Sequence, residues 1–192
     1  SGSLAQAEMY LSAVVAAEPD NISARQLLAE TQLQLEKGGE ASQLLRPLIS
    51  GGEADSRTLQ LAARVSIALE DVDDAIRYLR EGVETDPTNV ELKFQLATTL
   101  LQAGRFSESE AVLNDIDASG SEDIAYSKDV IIVLAAMREG KPLVALEAAR
   151  SLAIKYADRA NAFTLLGMAQ LRNGKIADAV PSFASSIELD PD

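Results

Sequence analysis

The chain contains no cysteine, no histidine and no tryptophan, and only 4% of its residues are aromatic. Each absence excludes a class of chemistry. Without cysteine there is no disulfide and no thiolate nucleophile, and without cysteine or histidine the common zinc-ligand sets cannot be built. Histidine is also the usual general acid or base near neutral pH, so the ordinary acid–base pairs are missing. Basic residues are scarce: 17 Lys and Arg stand against 30 Asp and Glu, a net charge of −13. A face that neutralises phosphate needs the opposite sign, which argues against nucleic acid and against peripheral binding to anionic lipid. The acidity reads as a source of solubility. No apolar run approaches the ~20 residues that cross a bilayer. The chain opens Ser1-Gly2-Ser3, with no initiator methionine and no signal segment. Residues 1–3 read as a cloning remnant on an internal fragment, with any native targeting sequence outside it.

What is present is a small residue on a fixed beat: Ala7, Ala41, Ala75, Ser109, Ala145 and Ala179, at intervals of 34, 34, 34, 36 and 34. Leu11, Leu45, Leu79, Leu113, Ala149 and Phe183 keep step four places later, and Ala29, Ala63, Ala97, Val133 and Gly167 precede the beat by twelve. A period of this length marks a repeat array, in which one supersecondary unit buries its apolar face only against its neighbours.

Within each period the apolar residues follow helical spacing, and nothing alternates with a strand period. The expected helix pairs are about 21–36 with a partner around 41–48, 55–69 with 72–85, 88–103 with 106–117, 121–139 with 142–156, and 160–173 with 176–189. Asp20-Asn21 supplies a cap, and Gly38-Gly39, Gly104, Gly140 and Asn173-Gly174 are the expected breaks. Pro142 suits the first turn of a helix, whereas Pro47 and Pro181 fall inside helices and are expected to kink or fray them. Residues 4–20 form half a pair. The two extra residues of the 36-residue interval are assigned to Asp117-Ala118-Ser119-Gly120-Ser121, a polar loop expected to loosen one joint.

These markers resemble the tetratricopeptide repeat (TPR), whose motif has small residues at positions 8 and 20, a large apolar residue at 24 and proline at 32. Repeats counted from Ile22, Ser56, Val90, Tyr126 and Ala160 meet that pattern, and Pro19, Pro87 and Pro191 fall on position 32. The array departs from it at position 4, where Arg25, Leu59, Lys93 and Asp129 stand in place of an aromatic residue and only Phe163 conforms. Position 32 departs too, at Glu53, Ser121 and Ala157. The resemblance implies an all-α solenoid spanning 1–192 as a single array, a right-handed superhelix of about five hairpins after an N-terminal half repeat. A narrower resemblance, to the TPR lipoproteins of bacterial PEP-CTERM/exosortase systems, rests on Tyr10-Leu11-Ser12-Ala13-Val14, Glu18-Pro19-Asp20-Asn21, Ala24-Arg25-Gln26-Leu27-Leu28-Ala29-Glu30 and Leu44-Leu45-Arg46-Pro47-Leu48. It implies an envelope-associated adaptor of exopolysaccharide systems, periplasmic, whose only membrane link is a lipid anchor outside these residues. Without that narrower likeness the compartment would be cytoplasmic.

No enzyme is expected. The carboxylate clusters Asp71, Asp73, Asp74 and Glu108, Glu110 sit at helix starts, where they act as caps and solvated charge. No metal motif or phosphate-cradling glycine loop is present, so neither metal nor cofactor is expected. In the TPR family positions 2, 5, 9 and 12 of the first helices line a concave groove. Carried over, they give Gln26 and Glu30; Arg57, Gln60 and Arg64; Phe94 and Thr98; Val130 and Leu134; and Thr164 and Met168. Leu101, Met137 and Leu171 fall on the same positions, and Arg57 and Arg64 set two cations beside an apolar run of Phe94, Val130, Leu134, Met137 and Met168, as a peptide-binding groove requires. The alternatives are that Arg57 and Arg64 pair with Glu53 or Glu91, and that the run packs against the opposite wall or a neighbouring chain. The expected function is a protein-interaction scaffold binding a partner's peptide or helix. The competing expectation is a structural array that self-associates through exposed solenoid ends.

Overall fold

A computed structural model describes residues 2–52, 54–116 and 121–191. Among the described residues there are eleven helices and no strand. In order they are α1 (Gly2–Ala17), α2 (Ile22–Gln34), α3 (Gly38–Ser50), α4 (Ser56–Ala68), α5 (Val72–Thr85), α6 (Val90–Gln102), α7 (Phe106–Asn114), α8 (Glu122–Arg138), α9 (Pro142–Lys155), α10 (Ala160–Arg172) and α11 (Ile176–Leu189). They form two compact units, Ser1–Thr99 and Leu100–Asp192. In the first, α2 pairs with α3 and α4 with α5, while α1 packs on α2, α3 on α4 and α2 on α4. In the second, α8 pairs with α9 and α10 with α11, with α7 on α8, α9 on α10 and α8 on α10. The loop holding the two extra residues falls mainly on 117–120, outside the described residues, as does Glu53.

Each hairpin turn is made the same way. Glu36, Glu70, Gly104, Gly140 and Gly174 all adopt left-handed backbone, with φ between 60° and 75°. They recur at 34, 34, 36 and 34 residues, so the turn keeps the alanine beat. In the first, Lys37 N–H donates to the Gln32 carbonyl at 2.8 Å and Glu36 N–H to Leu33 at 3.0 Å. That is a Schellman ending, which satisfies the last carbonyls of the helix. The expected break at Gly38-Gly39 is thus displaced: the chain turns at Glu36, and Gly38 begins α3. Gly38 serves packing instead, because a Cβ there would meet Leu69 Cδ2 at 3.2 Å. Helix starts are capped by Asn21, Asp55, Asp71, Asn89 and Ser121, each accepting the N–H three residues on.

At the two internal prolines the helices do not end. Helices α3 and α11 continue through Pro47 and Pro181. Each ring is exposed while its neighbours are buried, Leu45 and Leu48 around one and Ala179 and Ser182 around the other. Tertiary packing therefore holds a turn that has lost one hydrogen bond, which costs less than separating the helices.

Small and large residues complement each other across each hairpin. Ala29 and Leu45 are buried in one apolar cluster of the first unit, and Ala63 and Leu79 are buried likewise. In α8–α9 the sizes reverse: Val133 shares a cluster with Ala149. In α10–α11 they reach an extreme, since a Cβ on Gly167 would lie 2.7 Å from Phe183 Cζ. Protein interiors leave little room for an extra methyl, and forcing one in costs about 1–3 kcal/mol. Gly167→Ala should therefore lower stability by about that amount in urea unfolding. Adding Phe183→Leu restores the Ala–Leu pairing of the other repeats and should recover much of the loss. A left-handed non-glycine residue carries about 1–2 kcal/mol of backbone strain. Glu36→Gly and Glu70→Gly should each stabilise by about 0.5–1 kcal/mol, after the glycine's greater unfolded entropy is deducted. A thermal melt that falls for both would refute that account of the turns.

Candidate functional site

In the first unit the predicted positions converge on Glu30. Its carboxylate lies 3.0 Å from Arg64 Nη1 and 3.9 Å from Arg57 Nη2. Glu30 comes from α2 and the arginines from α4, two helices in contact. The pairing partner is thus neither of the two acids expected: Glu30 stands between the cations, Glu91 is not paired with them, and Glu53 lies outside the described residues. Asp55 also lies near Arg57, so the two guanidiniums stand against two carboxylates, Glu30 and Asp55, on a strongly acidic chain. Both arginine side chains remain largely exposed, so most of their N–H donors face water. Such donors in a planar fork suit a carboxylate.

Gln26 does not join this surface. It is buried, and its Nε2 donates to Asp55 Oδ1 at 3.0 Å and Thr58 Oγ1 at 2.8 Å. Its amide thus ties α2 to the cap of α4. Gln60, Phe94 and Thr98 are half-buried, and the Thr98 hydroxyl donates to the Phe94 carbonyl of its own helix.

In the second unit the apolar run is mostly core. Met137 and Leu101 are buried, and Val130 and Leu134 pack against the α8–α9–α10 cluster. The reason is that α8 is flanked by α7, α9 and α10. Thr164 bonds to Ser186 at 2.7 Å, on α11. Only Met168 and Leu171 of these positions stay open, 40% and 47% exposed.

Two networks carry no simple sequence signal. Asp129, a departure at position 4, accepts from the hydroxyl of buried Tyr156 at 3.1 Å and from Lys155 Nζ at 2.9 Å. The Tyr126 and Tyr156 rings meet edge to face at 4.9 Å. Asp55 accepts from Thr58 N–H at 2.8 Å and Thr58 Oγ1 at 2.6 Å besides Gln26. The carboxylate clusters act as caps and ion-pair partners: Asp71 caps α5, Asp74 pairs with Arg77 at 2.7 Å and Glu108 with Arg105 at 2.6 Å.

Comparison with known proteins agrees with this architecture. Family models described as tetratricopeptide repeat match residues 66–128 and 132–192, and one described as anaphase-promoting complex, cyclosome, subunit 3 matches 1–82. A tetratricopeptide repeat protein from Parabacteroides merdae is 17% identical, with a TM-score of 0.78 over 94% of this chain and 71% of that one. MamA from Desulfovibrio magneticus is 16% identical, with a TM-score of 0.73 over 90% of this chain and 96% of that one. YrrB, described as a TPR protein with an unusual peptide-binding site, is 15% identical, with a TM-score of 0.53 over 100% of this chain and 80% of that one. No curated protein sequence matches. Family models and solved structures together support the TPR family, and the fold is that of a TPR solenoid. No catalytic family is among the matching models.

The Asp55 network makes a pH prediction. Partial burial alone would push the Asp55 carboxyl up, but the hydrogen bonds from Thr58 and Gln26, with Arg57 nearby, outweigh it and hold the group below the usual carboxylate range. A lowered native pKa gives stability that is present above the unfolded value, about 3.9, and lost as pH falls through the native one. Asp55→Asn keeps a capping oxygen and removes the charge. Its stability deficit against wild type in urea should therefore be largest near neutral pH and shrink below about pH 4. A deficit independent of pH would sink this assignment.

Proposed function

We propose that this tetratricopeptide-repeat chain is a non-catalytic scaffold that binds an extended segment or short helix of another protein. The observation that carries the reading is the Arg57–Glu30–Arg64 arrangement. It is an exposed set of guanidinium donors on contacting first helices, two cations grouped on a chain of net charge −13. An acidic group of the partner would meet the free edges of both guanidiniums. Phe94, in the same unit, would hold an apolar anchor. The description of YrrB as having a peptide-binding site supports peptide recognition on this fold.

The finer reading is an adaptor in exopolysaccharide or PEP-CTERM protein export, placed at the envelope through a lipid anchor outside these residues. It rests on the phrases Tyr10–Val14, Glu18–Asn21, Ala24–Glu30 and Leu44–Leu48. Absence of exosortase or polysaccharide genes near the coding gene would count against it. A second reading, self-association, has its own observation. Val180 and Ile187 on α11 are 65% and 64% exposed, whereas Leu146 and Ala153 at the same repeat positions of α9 are buried under α10. Sedimentation of the chain at rising concentration tests it: a monomer throughout would remove it.

Surface ion pairs contribute only about 0–1 kcal/mol to stability, so charge reversal here separates binding from folding. Arg64→Glu should weaken a partner recovered by pull-down at least tenfold while leaving the thermal melt nearly unchanged. Glu30→Gln should strengthen the same partner by removing the internal competitor. Unchanged affinity in both variants would refute the proposed role of the arginines.

A further inference from the structure

A second periodic position runs beside the alanine beat. The residue following each beat residue is Glu8, Ser42, Ile76, Glu110, Leu146 and Val180. Ile76 and Leu146 are buried, 2% and 3% exposed, and fill the space beside their own helix. That aliphatic side chain is missing at Glu8, Ser42 and Glu110; Glu8 pairs with Lys37 at 2.7 Å, and at Ser42 and Glu110 the structure opens a cleft. One, of about 160 Å³, is lined by Ser42 in the first unit. The other, of about 140 Å³, is lined by Glu110 in the second. The vacancies follow from the sequence: the backbone repeats, and the side chain that should fill the gap does not.

The two clefts differ in chemistry. The first carries one cation and one carboxylate, Arg46 and Asp74. The second lies among α7, α8 and α9, with apolar walls from Phe106, Leu113, Ile132 and Val144. Glu110, Glu139 and Lys141 also line it, and Lys141 Nζ is 2.6 Å from Glu139. One ammonium against two carboxylates leaves it net negative. Val144 is half-exposed, so the apolar wall reaches the surface.

We propose that the α7–α8–α9 cleft is a socket for an aliphatic side chain of a partner protein, presented beside a lysine or arginine. The size argument is internal, since the occupant stands where Leu146 stands one repeat later. Glu110 selects the charge of the flanking residue, because an aliphatic group carrying a neighbouring carboxylate would meet like charge as it entered. None of the first-helix positions discussed above lines this cleft, so the inference stands apart from the groove reading.

The test uses three blocked tripeptides: Lys-Leu-Lys, Glu-Leu-Glu and Lys-Ser-Lys. Methyl NMR of the whole chain should show Lys-Leu-Lys perturbing Ile132 and Val144 at millimolar concentration, with the other two at least tenfold weaker. Glu110→Leu, which fills the socket, should weaken Lys-Leu-Lys at least tenfold, whereas Ser42→Ile, which fills the other cleft, should leave it unchanged. Glu110→Gln keeps the space and removes the charge, so the preference for Lys-Leu-Lys over Glu-Leu-Glu should shrink. No perturbation at these methyls, equal binding of the three peptides, or binding that survives Glu110→Leu with helical circular dichroism intact overturns the proposal. If Glu110→Leu does not fold, the peptide series and Glu110→Gln still decide it.

Discussion

Everything in this chain depends on how closely the two helices of a hairpin approach. The distance is set by the residue twelve before the beat and the one four after it, and their volumes trade against each other. Alanine meets leucine in α2–α3 and recurs with it in α4–α5, valine meets alanine in α8–α9, and glycine meets phenylalanine in α10–α11. A close-packed interior permits such exchange only where the neighbouring side chains adjust to the pair. The beat is therefore the trace of a spacing, and the identity of the residue on it is secondary. That explains why Ser109, a polar residue fully buried on the beat, does not break the series.

The same spacing organises the turns and the clefts. Helices of fixed length ending at a fixed approach need a left-handed residue at one place, and the chain supplies it with glycine three times and glutamate twice. Between repeats the packing asks for an aliphatic residue just after the beat. At Ser42 and Glu110 space remains open in the fold. A solenoid accepts this because each repeat answers only to its neighbours, so a vacancy in one does not propagate.

How much was legible in the sequence follows from this division. Helix pairing, caps and the turns at Gly104, Gly140 and Gly174 were readable, because periodicity and capping chemistry are local. The turn at Glu36 was not, since glutamate has no left-handed preference and the adjacent Gly38-Gly39 gave a stronger but misleading signal. Pro47 and Pro181 were read as places where a helix kinks or frays; the helices run on through both, with buried residues on either side holding the turn. At the site, Arg57 and Arg64 were readable as a pair on one helical face. Their partner Glu30 was readable in principle, because Glu30 and Arg64 are 34 residues apart and so occupy the same position on contacting helices. Gln26 was not, because its burial depends on a cap contributed by the next repeat.

The departures from the repeat pattern carry more information than the matches. Where an aromatic residue is expected at position 4, Arg25 reaches the carbonyls of Pro19 and Leu44, and Asp129 takes the hydroxyl of Tyr156. Each replaces apolar contact with a directed bond, which stabilises only if its geometry is met and leaves a buried polar group unsatisfied if it is not. Matches can be exchanged between repeats when the facing residue is exchanged with them, as Gly167 with Phe183 shows. Such departures cannot, because their partners exist in one place only. A repeat array acquires individuality, and with it the means to distinguish one partner from another, at the positions where it stops repeating.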